Sequence, residues 1–110
     1  GGRYLLLEHP RGVAGQMPAC HITDVVVRLW DALEAGDLKE AKRVYGLMTP
    51  LFALEEQCGA TCSEVLRRRG VIKSSRQRMA SKVDEYDQRA LDDILRDLEP
   101  LLTWHSWHNL

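Results

Sequence analysis

RGVAGQMPACHITD, residues 11–24, is the stretch that decides how this sequence is organised. It predicts one short strand from Gly12 to Met17, then a helix that begins after Thr23 as its N-cap, with Asp24 in the first turn. The backbone N–H and C=O groups of a buried strand need partners on neighbouring strands. The remaining sequence predicts no second strand. Either the segment is not a strand, or its neighbours lie outside these 110 residues.

Helical periodicity dominates the rest of the sequence, because apolar residues recur every three or four positions. The predicted helices cover residues 3–8, 25–35, 38–58 and 60–69, and a last helix begins after its Asp84 cap and ends or kinks at Pro100. Asp37 is predicted to cap the third helix, which can continue past Pro50 after a kink. Residues 71–83 are polar and aperiodic, which predicts a surface crossing. The sequence thus predicts one β-strand followed by consecutive helices. A strand followed by a helix is typical of a parallel sheet, which needs several strands.

The composition is that of an ordinary soluble domain. The 110 residues are 45% hydrophobic and 28% charged, with a formal net charge of −1. This near-neutral balance gives no reason to expect nucleic acid or an anionic membrane as a partner. The basic run Arg67-Arg68-Arg69 is interpreted as a solvated helix end rather than a phosphate site. No apolar run approaches the roughly 18 residues of a membrane span. The three cysteines argue against a disulfide framework and for a reducing, cytoplasmic location.

The spacing of histidines and cysteines offers one metal hypothesis. Cys58 and Cys62 are four positions apart, and His105 and His108 are three apart, so a tail that folds back could form a zinc site. The long gap between the two pairs favours the alternative, in which the cysteines pack as small hydrophobic side chains. We therefore expect no metal.

The sequence predicts no catalytic nucleophile within this chain. Cys20 and His21 are adjacent, so their side chains point in different directions, and no orienting acid is evident near them. The lysines lie in polar, charged neighbourhoods that do not favour a Schiff-base nucleophile. They are Lys39, Lys42, Lys73 and Lys82.

Four motifs follow one another along the chain. They are GGRYLLLE at residues 1–8, GVAGQMPAC at 12–20, DVVVRLWDALEAGDL at 24–38 and EVLRRRGVIKSSRQR at 64–78. In order and spacing these motifs resemble the C-terminal third of the dihydrodipicolinate synthase / N-acetylneuraminate lyase family. Within that family they are most similar to the branch that acts on 2-keto-3-deoxy sugar acids, of the 2-dehydro-3-deoxy-L-arabonate dehydratase type. The resemblance covers residues 1–103.

The resemblance implies the C-terminal part of a (β/α)8 TIM barrel with a helical extension, in a chain that is itself mainly α-helical with one short strand. Residues 1–36 would hold the last strand and helices of the barrel, 37–103 the extension and 104–110 a tail. Gly1 and Gly2 would end the seventh strand, and Gly12 to Met17 would form the eighth. The neighbours of that strand would be the first seven strands, which precede this chain.

The same resemblance implies a Schiff-base-forming lyase, either a dehydratase or an aldolase, that acts on a small 2-keto acid without a metal or organic cofactor. The Schiff-base lysine and the proton-relay tyrosine of the family would precede Gly1. Barrel active sites lie at the C-terminal ends of the strands. The candidate substrate-binding residues are therefore Gly1, Gly2, Gln16 and Met17, with packing at the barrel mouth as their alternative role. Gln16 replaces the usual threonine of the family. The expected partners are the rest of the barrel and further copies of the chain in a homo-oligomer.

An independently folded helical module that binds a partner protein, without catalysis, is the alternative function. Its apolar helix faces and the tryptophans of the tail would form the contact surface. The predicted strand at residues 12–17 argues against this alternative, because a free helical module has no use for a lone strand.

Overall fold

The computed structural model describes residues 2–78 and 82–107. These residues contain five α-helices: α1 (Leu5–Glu8), α2 (Thr23–Glu34), α3 (Leu38–Gln57), α4 (Thr61–Arg68) and α5 (Glu85–Leu98). Single turns of 3-10 helix cover His9–Arg11, Cys20–Ile22 and Glu99–Leu101. The prediction of a mainly helical chain is confirmed. Among the helices within the described ranges, none is long and apolar enough to cross a membrane.

The predicted strand from Gly12 to Met17 is not formed. Gly12 ends the first 3-10 turn with a φ of 87°, and residues 13–19 have no regular secondary structure. Residues 2–78 and 82–107 contain no β-strand at all, so this segment has no neighbour with which to form a ladder. The strand prediction was wrong for this chain because pairing, rather than local preference, decides whether such a segment becomes a strand.

Short acidic side chains begin two of the helices, as the sequence predicts. Asp37 accepts a hydrogen bond from the backbone N–H of Glu40 at 3.2 Å and so caps α3. Asp84 accepts from the N–H of Asp87 at 2.8 Å, and Asp87 accepts in return from the N–H of Asp84 at 3.2 Å. This reciprocal capping box starts α5. Thr23 is not the N-cap of α2 but its first residue, and its hydroxyl donates to the carbonyl of Ala19 at 3.3 Å.

Helix α3 continues through Pro50 for its full 20 residues. A proline has no N–H, so the carbonyl four residues earlier, that of Gly46, loses its usual backbone donor. The hydroxyl of Thr49 donates to this carbonyl at 3.0 Å. The side chain next to the proline thus satisfies the group that the proline leaves unpaired.

One hydrophobic core joins all five helices, and α3 packs against both α2 and α5. Its fully buried members are large apolar side chains from every part of the chain. They include Leu5, Val25, Leu29, Val44, Met48, Leu51, Val65, Leu91, Leu95 and Leu98. Residues of the predicted barrel part, 1–36, and of the predicted helical extension, 37–103, therefore share a single core.

Arg69 joins three separate parts of the fold through a contact that we call the Arg69 clamp. Its guanidinium donates to both carboxylate oxygens of Asp24, at 3.0 and 2.6 Å, and to the carbonyls of His21, at 2.7 Å, and Trp104, at 2.8 Å. Asp24 also accepts from the N–H and the hydroxyl of Thr103, at 2.9 and 3.1 Å. The clamp holds the start of α2, the end of α4 and the segment after α5 together.

The interpretation of Arg67-Arg68-Arg69 as a solvated helix end was wrong for two of its residues. The side chains of Arg68 and Arg69 are only 10% and 9% exposed. Arg68 donates to Asp92 at 2.6 Å and also binds Gln88, so it ties α4 to α5. The long apolar stems of arginine can be buried when each charged head finds partners. Local charge patterns do not reveal such distant partners.

Candidate functional site

A cleft of about 370 Å³ lies between the N-terminal residues, the irregular segment before α2 and one face of α3. Its lining combines charged, amide and aromatic side chains. The lining residues are Gly2, Arg3, Tyr4, Glu8, Gln16, Ala19, His21, Phe52 and Glu55. Two of the four candidate substrate-binding residues, Gly2 and Gln16, thus meet at one cleft.

The Gln16 side chain is held at the cleft by hydrogen bonds at both ends of its amide. Its Oε1 accepts from the backbone N–H of Gly2 at 3.1 Å, and its Nε2 donates to Glu8 at 3.3 Å. Gly2 has a φ of 82°, and a Cβ at this position would lie 3.2 Å from Val26. Both the left-handed backbone and the close approach to α2 explain a glycine here.

The other two candidates lie elsewhere. Met17 is 89% exposed and is not among the lining residues of the cleft. Gly1 lies outside the described residues. None of the four lysines is found among the described residues that line the cleft.

Arg3 and Glu55 give the cleft charges of both signs. Arg3 lies 3.6 Å from Glu55 and 2.9 Å from Glu56, and its guanidinium stands over the ring of Phe52 at 5.7 Å from the centroid. The hydroxyl of Tyr45 donates to the Arg3 carbonyl at 2.5 Å and fixes the backbone of this residue. Because the Arg3 side chain is 34% exposed, its remaining donors can bind an anionic group that enters the cleft.

His21 connects the cleft to a cysteine behind it. The imidazole is 2% exposed; its Nε2 bonds to the carboxylate of Glu55, and its Nδ1 lies 3.3 Å from the Sγ of Cys62. The sequence offered no orienting acid for His21, but the fold supplies one from α3. It also supplies a cysteine from α4, which is not the adjacent Cys20.

Sequence reasoning missed this arrangement because its members are 34 and 41 residues apart. One signal was present in the sequence. Glu55 follows the buried Leu51 and Phe52 by four and three positions, so it lies on the apolar face of α3. A carboxylate on such a face needs a partner, which is here the buried His21.

The thiol of Cys62 keeps its proton in this environment. Burial raises the pKa of Cys62, and the nearby Cys20 and Glu55 raise it further. The carboxylate of Glu55 only accepts hydrogen bonds, so Nε2 of His21 carries the hydrogen in their contact when the ring is neutral. Nδ1 is then free to accept the proton of the Cys62 thiol.

The zinc hypothesis finds no support in the described residues. Cys58 is buried and its Sγ lies 3.8 Å from the carbonyl of Lys82, whereas Cys62 contacts His21. His105 stacks on Trp107 with the ring centroids 4.1 Å apart, and His108 lies outside the described residues. Over residues 2–78 and 82–107, no group of three or more His, Cys, Asp or Glu side chains is placed to hold a metal ion.

Comparison with known proteins gives no relative for this chain. No family model, no curated protein and no solved structure matches it. The function is therefore proposed from the motifs of the sequence and from the geometry of the cleft.

Proposed function

We propose that this chain is the C-terminal portion of a Schiff-base-forming lyase that acts on 2-keto-3-deoxy sugar acids, as a dehydratase or an aldolase. The observation that carries the proposal is the 3.1 Å hydrogen bond between Gly2 and Gln16 at the edge of the cleft. By the family resemblance, these residues would lie near the ends of the seventh and eighth strands of the complete barrel. Those two strands are neighbours in a closed barrel, whose active site lies where strand ends meet.

In the complete enzyme, the carbonyl of a 2-keto acid condenses with a lysine that precedes this chain. The resulting iminium accepts electrons during loss of water or cleavage of a carbon–carbon bond, so no further cofactor is required. Gln16 would hydrogen-bond a hydroxyl or carboxylate oxygen of the substrate, with Gly2 and Glu8 fixing the orientation of its amide. Arg3 would attract the carboxylate of the substrate toward the cleft.

The N-terminal part of the chain also exposes apolar side chains of the kind that a barrel would cover. Leu7 is 66% exposed, Met17 89% and Val27 50%. Val27 lies beside residues 14–16 and Pro18 in an open apolar groove, next to the segment that would form the eighth strand. Strands upstream of Gly1, and further subunits of a homo-oligomer, would bury these side chains. The three cysteines are free thiols, which supports the reducing environment of the cytoplasm.

A helical interaction module without catalysis is the second candidate, and one observation favours it. The five described helices enclose one core within this chain, as a free helical module requires. The two proposals differ in one chemical outcome. A helical module forms no lysine adduct with a 2-keto acid in any longer version of the protein.

Borohydride trapping tests the proposal. When a protein that includes the residues upstream of Gly1 is treated with pyruvate and sodium borohydride, one upstream lysine should carry a stoichiometric reduced adduct. The 110-residue chain should form no such adduct under the same conditions, because its lysines lie away from the cleft. A stoichiometric adduct on Lys39, Lys42, Lys73 or Lys82 would contradict the proposal. Absence of an adduct from the longer protein would favour the helical module.

Gln16→Ala should lower kcat/KM of the complete enzyme by about tenfold to a hundredfold, because a substrate hydrogen bond contributes roughly 1–3 kcal/mol. The amide lies at the edge of the cleft rather than in the core, so the melting temperature should change little. Steady-state kinetics on the cognate 2-keto acid provides the measurement. Gln57→Ala, an exposed glutamine at the end of α3 outside the cleft, is the matched control. Equal kinetics for both variants would show that Gln16 does not contact substrate.

A further inference from the structure

Cys62, His21 and Glu55 form a hydrogen-bonded line that the proposed lyase chemistry does not use. The line crosses three elements: Cys62 lies in α4, His21 in the 3-10 turn before α2, and Glu55 in α3. A nucleophile, a base in contact with it and a carboxylate that orients the base form the arrangement that activates thiols and hydroxyls in enzymes. We propose that Cys62 is a site of reversible oxidation by hydroperoxides, which His21 activates and Cys20 resolves to a disulfide.

Because the resting Cys62 thiol keeps its proton, His21 must take that proton as the sulfur attacks, and the position of His21 suits it to this role. The imidazole is 2% exposed and is held at Nε2 by Glu55, so its Nδ1 remains directed at the Cys62 sulfur, 3.3 Å away. When Nδ1 takes the proton, the imidazolium lies against the carboxylate of Glu55. This adjacent negative charge stabilises the charged ring in a site that water barely reaches.

Cys20 is placed to react with an oxidised Cys62. It is exposed, and it begins the same 3-10 turn that carries His21, which packs against α4. It also lines the same surface recess as Leu66, which lies one helical turn after Cys62 on α4. Although Cys20 and His21 are adjacent in sequence, both belong to a turn that contacts the helix of Cys62. The pair therefore has both an attacking and a resolving thiol.

The accessibility of the two thiols limits the oxidant to a small molecule. Cys62 is half-buried, and a compact hydroperoxide needs only a narrow approach to its sulfur. Cys58 offers a contrast within the same chain, because its side chain is buried at 3% exposure and its Sγ contacts a backbone carbonyl. We therefore expect oxidation to select Cys62 over Cys58.

The reaction balances with hydrogen peroxide as the oxidant. The Cys62 sulfur, as its proton passes to His21, attacks one peroxide oxygen; the O–O bond breaks, and the leaving hydroxide takes that proton and becomes water. Cys62 is then a sulfenic acid, oxidised by two electrons, and the peroxide is reduced. The Cys20 thiol next attacks the Cys62 sulfur, an S–S bond forms, the S–O bond breaks, and a second water leaves. A thiol reductant such as glutathione restores both cysteines.

Peptide mapping after peroxide treatment tests the proposal. The 110-residue chain is treated with a small excess of hydrogen peroxide, quenched with an alkylating reagent and digested. We expect one disulfide between Cys20 and Cys62, reversible by glutathione, and unmodified Cys58. Cys58→Ser is the matched control and should give the same disulfide at the same rate. Oxidation of Cys58 as fast as Cys62, or absence of the Cys20–Cys62 disulfide, would overturn the proposal.

Two variants separate the chemical role of the line from a structural one. In Cys20→Ser, the sulfenic acid on Cys62 should persist and be captured by a 1,3-dione reagent. Glu55→Gln retains an acceptor for Nε2 of His21 but not the negative charge, so Cys62 oxidation should slow by about tenfold or more. Circular dichroism and thermal melting confirm that each variant is folded. If Cys62 is oxidised at the wild-type rate in a folded Glu55→Gln protein, Glu55 and His21 take no part in the mechanism, whatever the disulfide yield.

Discussion

Asp24→Ala is expected to lower the free energy of unfolding by about 3–5 kcal/mol, because it leaves the buried guanidinium of Arg69 without its charged partner. The two side chains are only 9% and 12% exposed, and both carboxylate oxygens accept from Arg69. The same substitution removes the carboxylate oxygen that accepts both hydrogen bonds from Thr103, so the segment after α5 loses this attachment to α2. Urea denaturation of the variant and the wild type at neutral pH measures the difference.

An exposed ion pair provides the control for this substitution. Asp93 is 78% exposed and lies 3.0 Å from Arg96 on the surface of α5, so Asp93→Ala should cost only a few tenths of a kcal/mol. Burial alone would raise the pKa of Asp24, but its hydrogen bonds to Arg69 and Thr103 outweigh burial and lower it. The contribution of Asp24 is therefore complete above the ordinary carboxyl range near 3.8 and is lost as the pH falls through the lowered pKa. Equal stabilities for Asp24→Ala and Asp93→Ala at neutral pH would show that the clamp does not hold the fold together.

Leu29→Ala is expected to cost about 2–5 kcal/mol, because it opens a cavity in the shared core where α2 packs against α3. The Leu29 side chain is fully buried, and it belongs to the single cluster that joins the helices. Thermal and urea unfolding of the variant give the loss directly. Val27→Ala tests the same helix on its outer face, where Val27 is 50% exposed, and should change the stability by less than about 0.5 kcal/mol. If both substitutions cost the same, the described core does not carry the stability of α2.

The helices of this chain could be predicted from its sequence because the signals that define them are local. Asp37 and Asp84 reach backbone N–H groups only three residues away, so their capping roles depend on neighbours in sequence. The stripe of Leu91, Ile94, Leu95 and Leu98 likewise repeats at helical spacing and is buried. Features that depend on distant residues were missed or misjudged. The strand at residues 12–17 needed a neighbour that the described chain does not contain, and the run at Arg67-Arg68-Arg69 found partners on α5 and α2.

The residues of the candidate site also differ in how far the sequence could predict their contacts. Gly2 and Gln16 were grouped as candidates only through the strand-end positions that the resemblance implies, since 14 residues separate them. The contacts of His21 with Glu55 and Cys62 had no such guide. No periodicity links a turn before α2 with positions on α3 and α4, and only the packing of these elements brings the three side chains together.

The Arg69 clamp has a consequence for the order in which the chain folds. Helices α2 and α3 are separated by only residues 35–37, so their pairing closes a short loop and has a low entropic cost. The clamp instead joins Asp24 to Arg69 across 45 residues and to Thr103 across 79. Contacts of such high sequence separation form late, once local contacts have shortened the effective distance between their ends. We therefore expect the α2–α3 hairpin to form first, and closure of the C-terminal segment over it to complete the native state.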